Sequence, residues 1–275
     1  METFVFSYQR GPYLANFLRS VRSCDWPGTV TVIDDGSDDP GTVAVLEAAE
    51  RDGFRVIRRR RTAGGAWGGL QASMAHALEL AQGPLTLFAQ DDLQLVRPLR
   101  PGEEERLTEL VNDESHSPFL FPSFHMQSWK ASRAARNFAF DESLGLPLRT
   151  LFHPLPGTSE VSMFSPARLR EAGWDPSFEE RGGSVLAYRL FGPMLSYPYP
   201  FLAFVPFPSV PRRGWRYAMK HPRRRPSPAE LAILRPEEIE HLFARDPATI
   251  PFATDYLRPV SSTRARLIGS TYWEH

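Results

Sequence analysis

The chain has almost no cysteine. Cys24 is the single one in 275 residues, which excludes a disulfide framework and any thiolate-rich zinc site. It has no net charge, with 32 Lys+Arg against 32 Asp+Glu, so whole-molecule attraction to nucleic acid is not expected. No long hydrophobic run is free of helix breakers. The most apolar segment, Pro193 to Pro211, is interrupted by Pro198, Pro200, Pro206 and Pro208, a spacing that a membrane-spanning helix does not tolerate. The opening METFVFSYQR lacks the basic flank, apolar stretch and small-residue cleavage site of a targeting signal. The expected location is therefore the cytoplasm, free or peripheral to a membrane. Two nucleotide loops are also missing. There is no GxxxxGK(S/T), and no GxGxxG follows the first apolar run, where Arg10-Gly11-Pro12 stands instead.

What is present is ordinary for a globular protein: 42% hydrophobic and 23% charged residues, which excludes disorder throughout. The 26 prolines predict stiff, irregular connections. The first hundred residues have a clear order. Thr3 to Ser7 reads as a buried strand. Tyr13 to Ser23 places Leu14, Phe17, Leu18 and Val21 at helical spacing. Thr29 to Asp34 is a second strand, stopped by DDGSDDP, and Gly41 to Ala49 a second helix. Phe54 to Ile57 is a third strand, followed by Arg58 to Arg61. The loop GGAWGG leads into a third helix carrying Leu70, Met74, Ala77, Leu78 and Ala81. Leu85 to Ala89 is a fourth strand, ending in Gln90-Asp91-Asp92. Alternating strands and helices predict a parallel sheet with helices on both faces and right-handed crossovers. Ligands of such sheets bind at the carboxyl ends of the strands. Those ends carry Ser7, Tyr8 and Arg10, then Asp34 and Asp35, then Asp91 and Asp92.

A carboxylate at a strand end can accept from a ribose hydroxyl or a base N–H. A pair can hold a hard divalent cation, with positions left for substrate phosphates. Asp and Ser are also N-cap residues, so Asp34, Asp35 and Ser37 equally suit a turn and helix cap. Two adjacent acids after a strand as apolar as LTLFA need a partner.

In order and spacing, FVFSYQRGPYLANFLRS, VTVIDDGSDD and GGAWGGLQASMAHALELAQGPLTLFAQDD resemble the nucleotide-binding half of a family 2 glycosyltransferase with a GT-A fold. The resemblance covers about residues 3 to 97. It implies an α/β fold, with a mostly parallel sheet flanked by helices on both faces and a C-terminal helical or loop extension. It implies a catalytic domain over 1–225, divided into a nucleotide half (1–97) and an acceptor half (98–225), and an extension over 226–275. The implied activity is transfer of a sugar from a nucleotide-diphosphate donor to an acceptor hydroxyl, inverting and dependent on Mn²⁺ or Mg²⁺. Ser7, Tyr8, Arg10, Asp34, Asp35, Gly64, Gly65 and Asp91 would hold the donor. The metal would sit on Asp92 and Asp91, with a late histidine, His221, closing its site. The family usually has another acid where this chain has Ala89-Gln90, which leaves metal binding to Asp92, with Asp91 nearer the ribose.

The second half continues the likeness. VSMFSPARLREAG followed by WDPSFEE resembles the segment that delivers the family's catalytic base, which makes Glu180 or Glu179 the base candidate. An inverting transfer needs one carboxylate to take the proton of the attacking hydroxyl. Both glutamates also suit a solvated helix start. Arg212, Arg213, Arg216, Lys220, Arg223, Arg224 and Arg225 surround His221 and could cover a diphosphate, an anionic acceptor or only solvent. Trp67, Trp129, Trp174 and Trp215 could stack on a sugar, Trp174 first among them, or belong to the core. The acceptor class stays open between carbohydrate, lipid-linked and small molecules. The tail, with a helix expected over Pro236 to Ala244, would pack on the core or form a homodimer contact. Two other readings fit the same residues: a catalytically inactive nucleotide-sugar-binding protein, and a sugar nucleotidyltransferase.

Overall fold

The computed structural model describes residues 1–59, 69–125, 138–149, 161–176, 180–205 and 230–260, the backbone alone for 180 and 181. Four parallel strands form its first half: β1 (Glu2–Ser7), β2 (Thr29–Asp34), β3 (Arg55–Arg58) and β4 (Thr86–Gln90). They lie in the order β3-β2-β1-β4, with Val5 opposite Val32 on one side and Ala89 on the other. The interior strands are apolar on both faces, as a sheet covered twice requires. Val5, Val32, Ile33, Leu87, Phe88 and Ala89 are all fully buried.

Helices α1 (Gly11–Ser23), α2 (Pro40–Arg51) and α3 (Leu70–Leu80) follow β1, β2 and β3. Two of them start earlier than the apolar spacing predicts. Pro12 and Pro40 stand in the first turns, where a proline loses no hydrogen bond and its φ is already helical. Asp39 caps α2 by accepting from the N–H groups of Gly41 (3.0 Å) and Thr42 (3.1 Å). Gly11 is there because the two helix starts nearly touch. A Cβ on it would lie 2.7 Å from the Thr42 Cα, and its N–H donates to Thr42 Oγ1 at 2.8 Å.

Beyond β4 the sheet becomes mixed. β9 (Ser162–Phe164) lies antiparallel to both β4 and β6 (Phe119–Phe121), so β6 runs parallel to β4 two places away. β10 (Met194–Ser196) continues parallel to β6. The hairpin of β7 (Phe138–Asp141) and β8 (Leu146–Arg149) closes the edge, with β8 antiparallel to β10. Phe88 joins the halves. Its ring meets Phe6 (5.0 Å) and Phe164 (4.6 Å) edge-on, a geometry favoured by the aromatic quadrupole. Helices α4 (Glu103–Asn112), α5 (Pro166–Glu171) and α6 (Glu180–Phe191) belong to this half.

The stretch from 230 packs on the core. A two-stranded ribbon of β5 (Leu93–Leu95) and β11 (Leu202–Phe204) receives it. Gln94 donates to the Leu231 carbonyl (2.6 Å) and accepts from the Leu231 N–H (2.9 Å). Helices α7 (Pro236–Phe243) and α8 (Ala253–Tyr256) add Ile239, Leu242, Ala253 and Leu257 to a second apolar cluster around Val96 and Phe124. Among the described residues no helix is long and apolar enough to cross a membrane.

Candidate functional site

The parallel strands bring three of the predicted groups to one edge. Ser7 ends β1, Asp34 ends β2, and Asp91 and Asp92 follow β4. Because β1 lies between β2 and β4, the two acidic turns are two strand spacings apart, roughly 10 Å.

The DDGSDD turn divides its work residue by residue. Asp34 serves the turn itself: Ser37 donates its N–H (2.7 Å) and its hydroxyl (2.5 Å) to the two carboxylate oxygens. Burial raises the Asp34 pKa, partly offset by those Ser37 bonds. Gly36 takes φ 78°, which a side chain would resist. Asp38 accepts from the Gln9 amide, and Asp39 caps α2. Asp35 differs from the others. One of its oxygens accepts from the Gly69 N–H, at the start of α3. The other, Oδ1, is buried with no hydrogen-bond partner among the described residues.

Gln9 was not singled out by the sequence, yet it fixes this turn. Its N–H donates to Ser37 Oγ (2.8 Å), and its side-chain oxygen accepts from the Asp39 N–H (3.0 Å). Its backbone is left-handed, with φ 56°. Such strain in a non-glycine residue is held only by surrounding contacts of this kind.

On the other side of β1, Arg10 bridges both acids, with Nη1 3.0 Å from Asp91 Oδ1 and 2.8 Å from Asp92 Oδ2. Asp91 also accepts from the Ser7 hydroxyl (3.3 Å) and the Tyr8 N–H (3.4 Å). Burial pushes the Asp91 carboxyl up to about 7, while Arg10 pulls it down and Asp92 pushes it up. The two aspartates hold the Arg10 guanidinium protonated against the opposing effect of burial. Asp92 Oδ1 is the second open acceptor of the edge: buried, with no hydrogen-bond partner among the described residues. Such an oxygen fits a hard divalent cation. Among the described residues no third His, Cys, Asp or Glu joins the pair.

The other expectations divide. Gly64, Gly65, Glu179 and His221 lie outside the described residues, as do Arg60, Arg61 and the basic stretch around His221. The backbone of Glu180 begins α6. Arg58 forms an exposed pair with Glu50 (2.9 Å). Arg59 donates its N–H to the Asp34 carbonyl (2.8 Å) and its guanidinium to Ser73 Oγ (2.9 Å). Trp174 is core and not a sugar platform. It is 3% exposed, its ring meets Phe119 at 5.1 Å, and its indole N–H donates to the Gly183 carbonyl (3.3 Å).

Residues 3–99 match the family model for glycosyl transferase family 2. Several solved structures share the fold. S. aureus TarS is 17% identical with a TM-score of 0.53, over 75% of this chain and 37% of TarS. TarS 1-349 in complex with UDP-GlcNAc gives 17% identity and a TM-score of 0.51, over 74% and 57% of the two chains. The mannosyltransferase PcManGT from Pyrobaculum calidifontis, in complex with GDP-Man and Mn²⁺, gives 17% and 0.52, over 79% and 60%. This chain thus spans between 37% and 60% of the length of these solved chains. No curated protein matches the sequence. Residues 3–99 therefore carry the family 2 glycosyltransferase pattern, and the chain has the GT-A fold of its structural neighbours.

Proposed function

We propose that the protein transfers a sugar from a nucleoside-diphosphate donor to an acceptor hydroxyl. One observation carries this reading: two buried carboxylate oxygens, Asp35 Oδ1 and Asp92 Oδ1, stand without partners among the described residues at one sheet edge. A buried charged acceptor left unpaired is costly. A nucleoside diphosphate offers a match for both. A ribose hydroxyl or base N–H would donate to Asp35, beside Ser7 and Tyr8. The diphosphate would lie toward Asp92, its charge met by a divalent cation held there with Asp91. That cation, when bound, neutralises the departing diphosphate. Gly64 and Gly65 would complete the donor contacts, and His221 the cation's shell.

In the transfer itself the acceptor oxygen bonds to the anomeric carbon. The bond from that carbon to the diphosphate oxygen breaks, and the nucleoside diphosphate leaves. Glu180, whose backbone begins α6, or Glu179 takes the acceptor's proton. Attack from the face opposite the leaving group inverts the anomeric centre. Arg10 has a preparatory role: its guanidinium bridges Asp91 and Asp92 and holds the two side chains together in a buried turn.

Thermal melting against UDP, GDP, dTDP, CDP and ATP, each with and without Mn²⁺, tests the donor site. A ligand at 100 times its Kd adds about 2.7 kcal/mol, a shift of several degrees for a protein of this size. A manganese-dependent shift with one diphosphate, lost in Asp92→Asn, is expected. No shift with any nucleotide would overturn the reading.

A further inference from the structure

Among the described residues Arg97 and Arg149 are buried and Arg10 is largely enclosed, and two of the three are answered by acids. Arg10 meets Asp91 and Asp92. Arg97, fully buried, meets Glu103 twice, at 2.9 and 2.5 Å, and donates to the carbonyls of Pro98 (2.8 Å), Pro200 (3.1 Å) and Tyr199. The third, Arg149, ends β8 at 6% exposure. Its side chain has no hydrogen bond or ion pair with any described residue, and Nη1 is fully enclosed. Its one defined contact is with the Phe121 ring, whose centroid lies 4.5 Å from the guanidinium carbon. That cation–π contact offsets only part of the cost of burying an ion. Burial accordingly pushes the Arg149 pKa down to about 10.

The place of this charge is informative. Phe121 ends β6, which runs parallel to β4 two strands away, and the register sets it level with Phe88, two residues before β4 ends, while the Arg149 backbone pairs with Met194 at the start of β10. The guanidinium over Phe121 therefore lies two strand spacings, roughly 10 Å, to the side of Phe88, on the acceptor half of the sheet. Its surroundings are aromatic and polar together. The His125 ring lies 5.1 Å from Phe121 and 4.8 Å from Phe138, with Nε2 3.1 Å from Ser196 Oγ. Phe138 and Met194 flank Arg149 in register.

We infer that Arg149 is the anchor of an anion subsite that receives an oxyanion carried by the acceptor, a phosphate or carboxylate, with His125 and Ser196 beside it. A guanidinium fork binds either group through two parallel N–H bonds. Such an anion would answer a guanidinium that no described residue pairs with, on the acceptor half of the sheet. The word acceptor rests on the transferase reading above; the anion site does not.

The test compares wild type with Arg149→Met and Arg149→Lys by calorimetric titration and melting. The probes are inorganic phosphate, glycerate, and the short-chain lipid phosphate dioctanoyl phosphatidic acid. Wild type should bind at least one of them. Lysine should weaken that binding by about tenfold, the worth of one charge-assisted hydrogen bond, and methionine should abolish it. Preference for the lipid phosphate over inorganic phosphate identifies a lipid-borne group, and the reverse a soluble one. Equal binding by wild type and both variants, or none by wild type, overturns the inference. If Arg149→Met does not fold, Arg149→Lys alone decides on the same criterion. A nucleoside-diphosphate melting shift, measured on the same samples, keeps the two readings separate. Its absence in wild type would defeat the donor site and leave the anion result standing. Its persistence in a variant that has lost the anion supports both.

Discussion

Glu103 is the perturbation whose outcome the structure specifies most closely. Its carboxylate neutralises the fully buried Arg97, and it also accepts from the Tyr197 hydroxyl (2.8 Å) and the Arg100 N–H (2.7 Å). Glu103→Gln removes the charge and turns one oxygen into a donor that faces other donors. The Arg97 guanidinium then stays buried with only carbonyls to meet it. Breaking one partner of a buried pair costs about 3–5 kcal/mol, or on the order of 10 °C in Tm at this size. Arg97→Met alone should cost a similar amount, because Glu103 then becomes the unpaired buried charge. The double variant should cost less than the two single losses together, by about 2–3 kcal/mol, since no ion is stranded. Urea unfolding with a constant m-value measures all three. Additivity within about 0.5 kcal/mol would refute the reasoning, because it would mean that the two charges do not depend on each other.

Other outcomes follow from single contacts. Asp35→Ala should weaken nucleotide binding about 10- to 100-fold, the range of a hydrogen bond to a charged group, and calorimetric titration reads it. Asp39→Ala should lower stability by about 1 kcal/mol through loss of the α2 cap, with nucleotide affinity unchanged in the same titration. In EDTA, the Asp91 carboxyl, raised from 3.8 to about 7 mainly by burial, keeps in the folded state a proton that the unfolded chain releases. Stability relative to Asp91→Asn should therefore fall as pH rises from about 4 to 7 and level off above. A difference curve that rises over that interval would mean that Arg10 outweighs burial.

The first half of the fold was legible because its strands are apolar runs and its helices have regular apolar spacing. Residues 3 to 59 and 69 to 90 needed little beyond the correction of helix starts at Pro12 and Pro40. The later strands are three or four residues long. Leu93–Leu95 and the hairpin strands Phe138–Asp141 and Leu146–Arg149 give no period to read. The site was legible as a set of acids but not as a division of labour. DDGSDD contains three aspartates that serve the turn, the Gln9 clamp and the helix, and one with an open oxygen. Nothing in the spacing separates them, because the deciding partners, Gln9, Ser37 and Gly69, come from elsewhere in the chain or fold back from the turn. Trp174 stayed open between sugar platform and core for a related reason: its place beside the acidic segment is sequential, and its packing is against Phe119. Arg149 left no mark in the sequence. Only burial distinguishes it from a solvated arginine at a strand end.

The most direct test of sugar transfer is product release from a panel of sugar nucleotides, with an added divalent cation, by wild type and Asp92→Asn. The account predicts release of the nucleoside diphosphate from one donor, increased by the cognate acceptor and lost in the variant. Release of pyrophosphate from a triphosphate, or nucleotide binding with no turnover of any donor, would contradict it.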